Sequence, residues 1–459
     1  MKKTDEAKPM NGDAKNGDAK NGDAKNGDAK NGDPKNGDAK NGGSAGTTGA
    51  APEKSGDGLI ESGRTPAKSG SPAGTPAGGA AKSDGSVGKR FSRDRLLLAV
   101  AGPVLALVVA VLLTSGVLLA SGKSPFEPYQ LMLDYAGNAD IQVLIVNQAS
   151  SYYLAALAVA IGFRMNLFNI GVDGQYRVAA MAAALVGANV DLPGPLSIAL
   201  IVIVAMLVGA FWAGIAGILK TTRGVSEVVS TIMLNAIATS LIAYLILPEQ
   251  FGVQPKGSNN LTTGDLPESS WFPGLHVSDV AGDIYGFVFV AIGCGVAYSL
   301  VLGRTRFGFD LRATGASESA AAASGVDAKR MVLTSMLISG AVAGLAGMPV
   351  LLGDSHTYSL NFQTGIGFTG ITIALLGRNN AVGIAFGALL IAFLDKASQT
   401  LDYNGYEKEI ATIMQGLIVI SVVVSYETVR RYALRRQQRK VGEELAAAAR
   451  TTTREEVAA

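Results

Sequence analysis

Side-chain chemistry needs a reactive group and a partner to activate it, and this chain has few of either. It holds two histidines, His276 and His356, and one cysteine, Cys294. Two histidines are too few for most acid–base or metal constellations, no Cys/His spacing suits zinc, and one cysteine excludes an intramolecular disulfide. Cys294 stands in an apolar run and reads as a small buried hydrophobe. No nucleophile–histidine pairing or midplane pair of acids points to catalysis. Two glycine-rich stretches resemble nucleotide sites but fail on context. Gly365-Ile366-Gly367-Phe368-Thr369-Gly370 fits GxGxxG, yet it lies in an apolar span with no strand before it. Gly116 to Ser124, GVLLASGKS, has one residue too many before Gly-Lys for a P-loop and follows an apolar run. No cofactor is therefore assigned to this chain. If ATP drives the protein, ATP and its magnesium are bound on another subunit.

What the apolar runs do carry is neutral hydrogen-bonding side chains. Asn147 and Gln148 lead into Ser150, Ser151, Tyr152 and Tyr153; Asn235, Thr369, Thr372 and Gln415 stand in later runs, with Phe368 beside Thr369. Amides for polar edges and aromatic rings for stacking suit a pathway for a neutral solute with a flat ring. The same residues also suit hydrogen bonding between helices as structural glue, and the sequence leaves both readings open. Asp173, Arg177 and Glu227 are placed near span ends, with Asp173 and Arg177 at i, i+4 expected to pair on one helix face. The scarcity of midplane carboxylates counts against ion-coupled transport, which stays open as a reading from another class.

These residues have to be positioned by membrane helices. A mean hydropathy of +0.28 and a net charge of +2 over 459 residues hide a split. Residues 1–91 are nearly free of apolar side chains, and residues 11–40 repeat NGDAK. Asn-Gly breaks helices and the unit has nothing to bury, so a disordered low-complexity tail is expected. It lacks the basic and apolar regions of a signal peptide. Residues 92–430 are expected to form an all-α polytopic membrane domain of about ten transmembrane helices, followed by a basic and then polar tail over 431–459. The ten apolar runs are Leu96–Ala120, Ile141–Phe163, Phe168–Ala188, Leu196–Leu219, Val228–Leu247, Ile284–Gly303, Met331–Gly353, Leu360–Gly377, Ala381–Leu394 and Ile410–Tyr426. The ninth is the shortest and is expected to be tilted, broken or re-entrant. Gly340-x-x-x-Gly344 and Gly383-x-x-x-Gly387 mark close helix seams.

Basic residues test this threading. Lys89, Arg90, Arg93, Arg95, Arg164, Lys220, Arg223, Arg304, Arg306, Arg312, Lys329, Arg330, Arg378 and the cluster from Arg430 to Lys440 fall on one side. Lys123, Lys256, Lys396 and Lys408 fall on the other. The first side, with both termini, is then expected to be cytoplasmic. The long polar stretch Pro248 to Asp283 faces outward and covers an entrance. On the cytoplasmic side, RTRFGFDLRATGASESAAAASGVDAKR (304–330) contains a miniature helix. Ser317 can cap its first turn, Glu318 complements the dipole and Gly325 supplies a left-handed stop. Two turns are not stable alone, so this helix needs something to dock against, and a partner protein is expected.

Arg164 to Arg177, RMNLFNIGVDGQYR, resembles the signature of ABC importer permeases for sugars, nucleosides and branched-chain amino acids. Arg312 to Gly325, RATGASESAAAASG, is similar to their coupling segment, and Gly224 to Asn235, GVSEVVSTIMLN, resembles the nucleoside/simple-sugar branch. The likeness covers roughly Leu96 to Tyr426. It implies a permease of the plasma membrane, not an enzyme. It also implies a separate ATP-binding subunit, a second and different permease subunit, and an extracytoplasmic substrate-binding lipoprotein. Arg312, Gly315, Ala320, Ala321 and Gly325, with Ser317 and Glu318, belong by resemblance to the helix that docks on the ATPase; Ser317 stands where such permeases often have Asn. Asn169, Gly171, Gly174 and Gln175 match the other motif. The expected solute pathway then draws on Asn147, Gln148, Asn169, Gln175, Asn235, Phe368 and Thr369. A nucleoside is the expected solute, with a ribose-type sugar as the alternative.

Overall fold

The computed structural model describes residues 104–458, apart from the side chains of 408, 411, 426, 440 and 444–458. The NGDAK repeats, the rest of the expected tail and the start of the first expected span, with its basic flank, lie outside the described residues. Helices dominate. After α1 (Val104–Ala120) come α2 (Glu127–Ala136), α3 (Ala139–Phe163), α4 (Val172–Asn189), α5 (Gly194–Arg223) and α6 (Glu227–Leu245). A hairpin of β1 (Leu275–Ser278) and β2 (Gly282–Ile284) follows, antiparallel with Leu275 opposite Ile284. Then come α7 (Phe287–Arg304), α8 (Arg306–Ala316), α9 (Glu318–Ala323) and α10 (Ala328–Gly344). α10 runs on through short turns, including α11 (Met348–Val350), to Ser355; α12 (Ile366–Leu376), α13 (Ala381–Ala397), α14 (Gln399–Tyr403) and α15 (Lys408–Ala458) complete the chain.

Among the described residues, seven helical segments are long and apolar enough to cross a bilayer. The segment from Ala381 to Tyr403 is one of them, so the ninth expected span is not the weak one. The eighth is. Leu360 to Gly365 is not helical, and α12 has only 11 residues, about 16 Å of helix against a hydrocarbon core of about 30 Å. Gly365, at φ 83°, starts it from a left-handed turn that a bulkier residue resists. The third expected span also begins late, since residues 164–171 are not helical and α4 starts only at Val172.

α3 is the central helix. Leu154 to Ala160 are all buried, and it packs against α7, α10, α12 and α13. A second, smaller core joins Leu118, Met132, Leu394, Leu401 and Met414 from α1, α2 and the last helices. The α5–α10 seam depends on missing side chains: a Cβ on Gly340 would stand 2.3 Å from the Gly209 carbonyl oxygen and 2.4 Å from the Ala213 Cβ.

The basic loops gather at one end. Arg164 Nη2 donates to the Asn379 carbonyl at 2.6 Å, and the Tyr298 hydroxyl donates to the same oxygen at 2.8 Å. Lys220 and Glu227 form an ion pair at 2.6 Å. At the opposite end Lys123 Nζ donates to Gly405 O. There the long polar loop is strapped down: Thr263 N donates to Tyr358 O, Leu266 N to His356 O, and Phe272 N to Leu352 O. Trp271 stacks on His356 with ring centroids 3.9 Å apart. Burial there holds the His356 imidazole below its usual pKa.

Gly340→Leu forces α5 and α10 apart and is expected to destabilise the fold by about 1–3 kcal/mol. A lower thermal unfolding midpoint in detergent would register this, whereas Gly416→Leu, where no atom lies within 4 Å of a built Cβ, should leave the midpoint in place.

Candidate functional site

The two stretches that resemble known signatures touch. Thr305 caps α8 by accepting from Gly308 N at 3.1 Å, Ser317 caps α9 by accepting from Ala320 N at 3.3 Å, and Asp327 caps α10 by accepting from Arg330 N at 3.1 Å. Three caps in succession fold residues 304–330 into a compact hairpin of short helices. α9 closes on Gly325 at φ 87°. Leu311 and Ala321 point inward, buried, while Ser317 to Ala320 and Ala322 to Gly325 are exposed and Arg312 is half-buried. The hairpin rests on the loop 164–171. A Cβ on Gly315 would stand 2.5 Å from the Arg164 carbonyl oxygen and 2.8 Å from the Met165 Cα, and Asn166 Nδ2 donates to Gly315 O at 2.6 Å.

That loop packs among the helices with Met165, Leu167, Asn169 and Gly171 buried and Asn166 and Phe168 exposed. Its own turn bonds Met165 N and Leu167 N to Gly162 O and Ile170 N to Phe168 O, and side chains add to these bonds. Asn169 and Gln175 exchange amide hydrogen bonds at 3.0 and 2.8 Å, and Asn169 Nδ2 also donates to Ser339 Oγ at 2.8 Å. Ser339 in turn donates to Ala158 O on α3. Asn235 accepts from Gly174 N at 2.9 Å and donates to Ile170 O at 3.0 Å. Glu227 Oε1 accepts from Phe168 N at 3.4 Å. The loop is thereby held by α3, α6, α8 and α10 together.

The loop leads into α4, and α4 holds the broken span. Asp173, buried, accepts from Gly365 N at 2.8 Å and Gly367 N at 3.3 Å. A carboxylate here answers both the unpaired N–H groups and the positive end of the α12 dipole. The Tyr176 hydroxyl donates to Gln363 O just before it. The i, i+4 spacing predicts an Asp173–Arg177 ion pair, and none forms within 4.0 Å among the described residues. The aspartate faces α12, while Arg177 Nη1 donates to Thr239 Oγ1 on α6 at 3.0 Å.

The expected pathway residues therefore divide. Asn147 anchors the outer loop, donating to Asp283 O and accepting from Tyr285 N. Asn169, Gln175 and Asn235 hold the inner loop, so four amides are occupied by protein. Gln148 lies beside the Tyr152 hydroxyl with its Nε2 buried and unpartnered. Phe368 is exposed and Thr369 half-buried on α12. Asn147 and Gln148 lie in the half of α3 towards the strapped loop, apart from the Asn169 network.

Sequence reasoning missed Ser339, the capping role of Asp173, and Asp395, whose carboxylate accepts from the Tyr152 hydroxyl at 3.3 Å. The signal for Asp173 was the glycine pair itself. Gly365 and Gly367 open a helix inside an apolar span with no local cap, so an acceptor has to come from elsewhere in the chain.

A family model described as branched-chain amino acid transport system / permease component matches residues 141–423. The guanosine ABC transporter permease protein of Bacillus subtilis (strain 168) is 33% identical over 335 residues, covering 71% of this chain and 93% of that protein. The glucose ABC transporter permease protein of Haloferax volcanii is 30% identical over 350 residues, 73% of this chain and 90% of that protein. The nucleoside ABC transporter permease protein of Lactococcus lactis subsp. cremoris is 30% identical over 332 residues, 71% and 90%. No solved structure matches the chain.

Asp173→Ala leaves two N–H groups at the start of α12 without an acceptor and is expected to cost about 1–3 kcal/mol per unsatisfied group. Asp173→Asn keeps an acceptor oxygen and should recover much of that stability. Thermal unfolding of the two variants in detergent checks the order; equal midpoints would mean that Asp173 does not cap α12.

Proposed function

The chain belongs to the family of permease components of branched-chain amino acid transport systems, whose relatives are ABC transporter permeases and not enzymes. On that premise we propose that it forms the membrane pathway for nucleosides in an ABC importer. A separate ATP-binding subunit docks on α9, and the basic end faces the cytoplasm. A second permease subunit completes the pathway, and a substrate-binding lipoprotein delivers solute at the strapped outer end.

The observation that carries the coupling role is the contact of Gly315 with the Arg164–Met165 backbone. α9 offers an exposed alanine-rich face too short to be stable unaided. Displacement of this hairpin by a partner presses directly on the loop 164–171. The loop begins α4, and α4 carries the acceptor for α12. Movement at the basic end thus reaches the broken helix through hydrogen-bonded and close-packed groups. A coupled transporter needs such an element, provided the partner binds one of its arrangements better than the other. The positive residues on the loops at this end support the cytoplasmic assignment.

The solute class rests on the guanosine and nucleoside permeases among the relatives. The glucose permease supports a second reading, a sugar pathway. Uptake of labelled guanosine by cells carrying the complete transporter separates the two: excess ribose should not compete, and strong competition by ribose would sink the nucleoside assignment.

Gly315→Leu wedges α8 away from the loop, and Ala320→Arg alters only the exposed face of α9. Both variants are expected to reach the membrane in normal amount and to lose ATP-driven uptake, by about a hundredfold for the displaced contact. Normal uptake by both would remove the coupling assignment.

A further inference from the structure

Arg177 is placed where an arginine needs a reason to be. Its guanidinium meets Thr239, about twelve residues into α6 from Glu227, so the contact lies about 18 Å along that helix. Glu227 is tied to Lys220 at the basic end, which puts Arg177 near the middle of a hydrocarbon core of about 30 Å. A charged side chain at that depth is costly unless it faces protein or a polar cavity, and such residues mark solute paths.

The partners of Arg177 are too few for its donors. The guanidinium has five N–H groups and no acceptor. One reaches Thr239 Oγ1, whose own proton goes to Asn235 O. Another reaches the Tyr358 hydroxyl oxygen. Nε is buried with no acceptor. Asp173, the nearby carboxylate, is occupied by the start of α12. Of the five N–H groups that leaves two, both terminal, as a pair of donors on the face shared by α4 and α6, where the Thr239 contact is exposed. α12 starts at that same aspartate, and its exposed Phe368 follows Gly367 directly.

We propose that Arg177 selects solutes presenting two adjacent in-plane acceptors, specifically 6-oxopurine nucleosides over 6-aminopurine ones. The inference rests on the nucleoside reading above and sharpens it. A 6-oxopurine offers O6 and N7 side by side, the edge a guanidinium grips with two hydrogen bonds. A 6-aminopurine offers N7 beside an amino group, so one donor of the fork meets another donor. A lysine provides a point charge and no fork. Thr239 and Tyr358 act as positioning residues that hold the guanidinium plane.

The test is uptake by cells carrying the complete transporter, with guanosine, inosine, adenosine and 7-deazaguanosine as solutes. In the unaltered protein, guanosine and inosine should be taken up with similar kcat/KM. Adenosine and 7-deazaguanosine, which lack one acceptor each, should fall about tenfold or more below them. Arg177→Lys should collapse the guanosine-to-adenosine ratio toward one, mainly through KM for guanosine. An unchanged ratio in Arg177→Lys would overturn the assignment, as would a parallel fall for both solutes, which marks a structural role. The 7-deazaguanosine comparison needs no variant, so equal uptake of guanosine and 7-deazaguanosine would contradict the fork even where Arg177→Lys fails to insert; the Arg177→Lys ratio separates selection at this residue from selection by the delivering lipoprotein. No uptake of any nucleoside by the unaltered protein would instead defeat the nucleoside reading itself.

Discussion

The structure depends on one constraint: a non-helical loop, 164–171, has to be held in one arrangement between the hairpin 304–330 and the start of α4. Turn hydrogen bonds such as Leu167 N to Gly162 O hold much of its backbone. Polar side chains of the loop and of neighbouring helices fasten it to the bundle. Asn169 and Gln175 bond one another, Ser339 ties them to α10 and α3, and Asn235 and Glu227 bind backbone groups from α6. A network of this kind favours one arrangement, so the loop is expected to move as a body.

The two irregular stretches of the membrane domain are mechanically one feature. The loop 164–171 sets where α4 begins, and the α4 carboxylate Asp173 sets where α12 begins. Outside the bundle, Gly315 and Asn166 fasten the hairpin 304–330 to the same loop. The proposed importer therefore has a single train of contacts from its docking helix to its broken helix. Glycine at position 315 matters because nothing larger fits against the Arg164 carbonyl, not because its backbone needs unusual freedom.

Local features were legible in the sequence, and long-range ones were not. The caps of α9 could be read because Ser317 and Gly325 act within a few residues of the helix they end. The long spans could be read because uniform apolar runs have one economical arrangement in a bilayer. The start of α4 was misread, since LFNIGV is apolar enough to pass as helix while its backbone is held by side chains distant in sequence. α12 was misread for the same reason. Asp173 and Arg177 carry the spacing of a helical ion pair, but two glycine N–H groups nearly two hundred residues away claim the carboxylate. The depth of Arg177 was hidden with it.

The central claim is that the docking hairpin and the inward loop move as one body against the rest of the bundle. Pulsed electron spin resonance on labels at Ser319, Phe168 and Leu112, an exposed residue of α1, in the assembled transporter measures this most directly. Trapping ATP on the partner should leave the separation between 319 and 168 unchanged and alter the separation between 319 and 112. A change in the first distance with none in the second would contradict the account, because the hairpin would then be sliding over the loop without moving it.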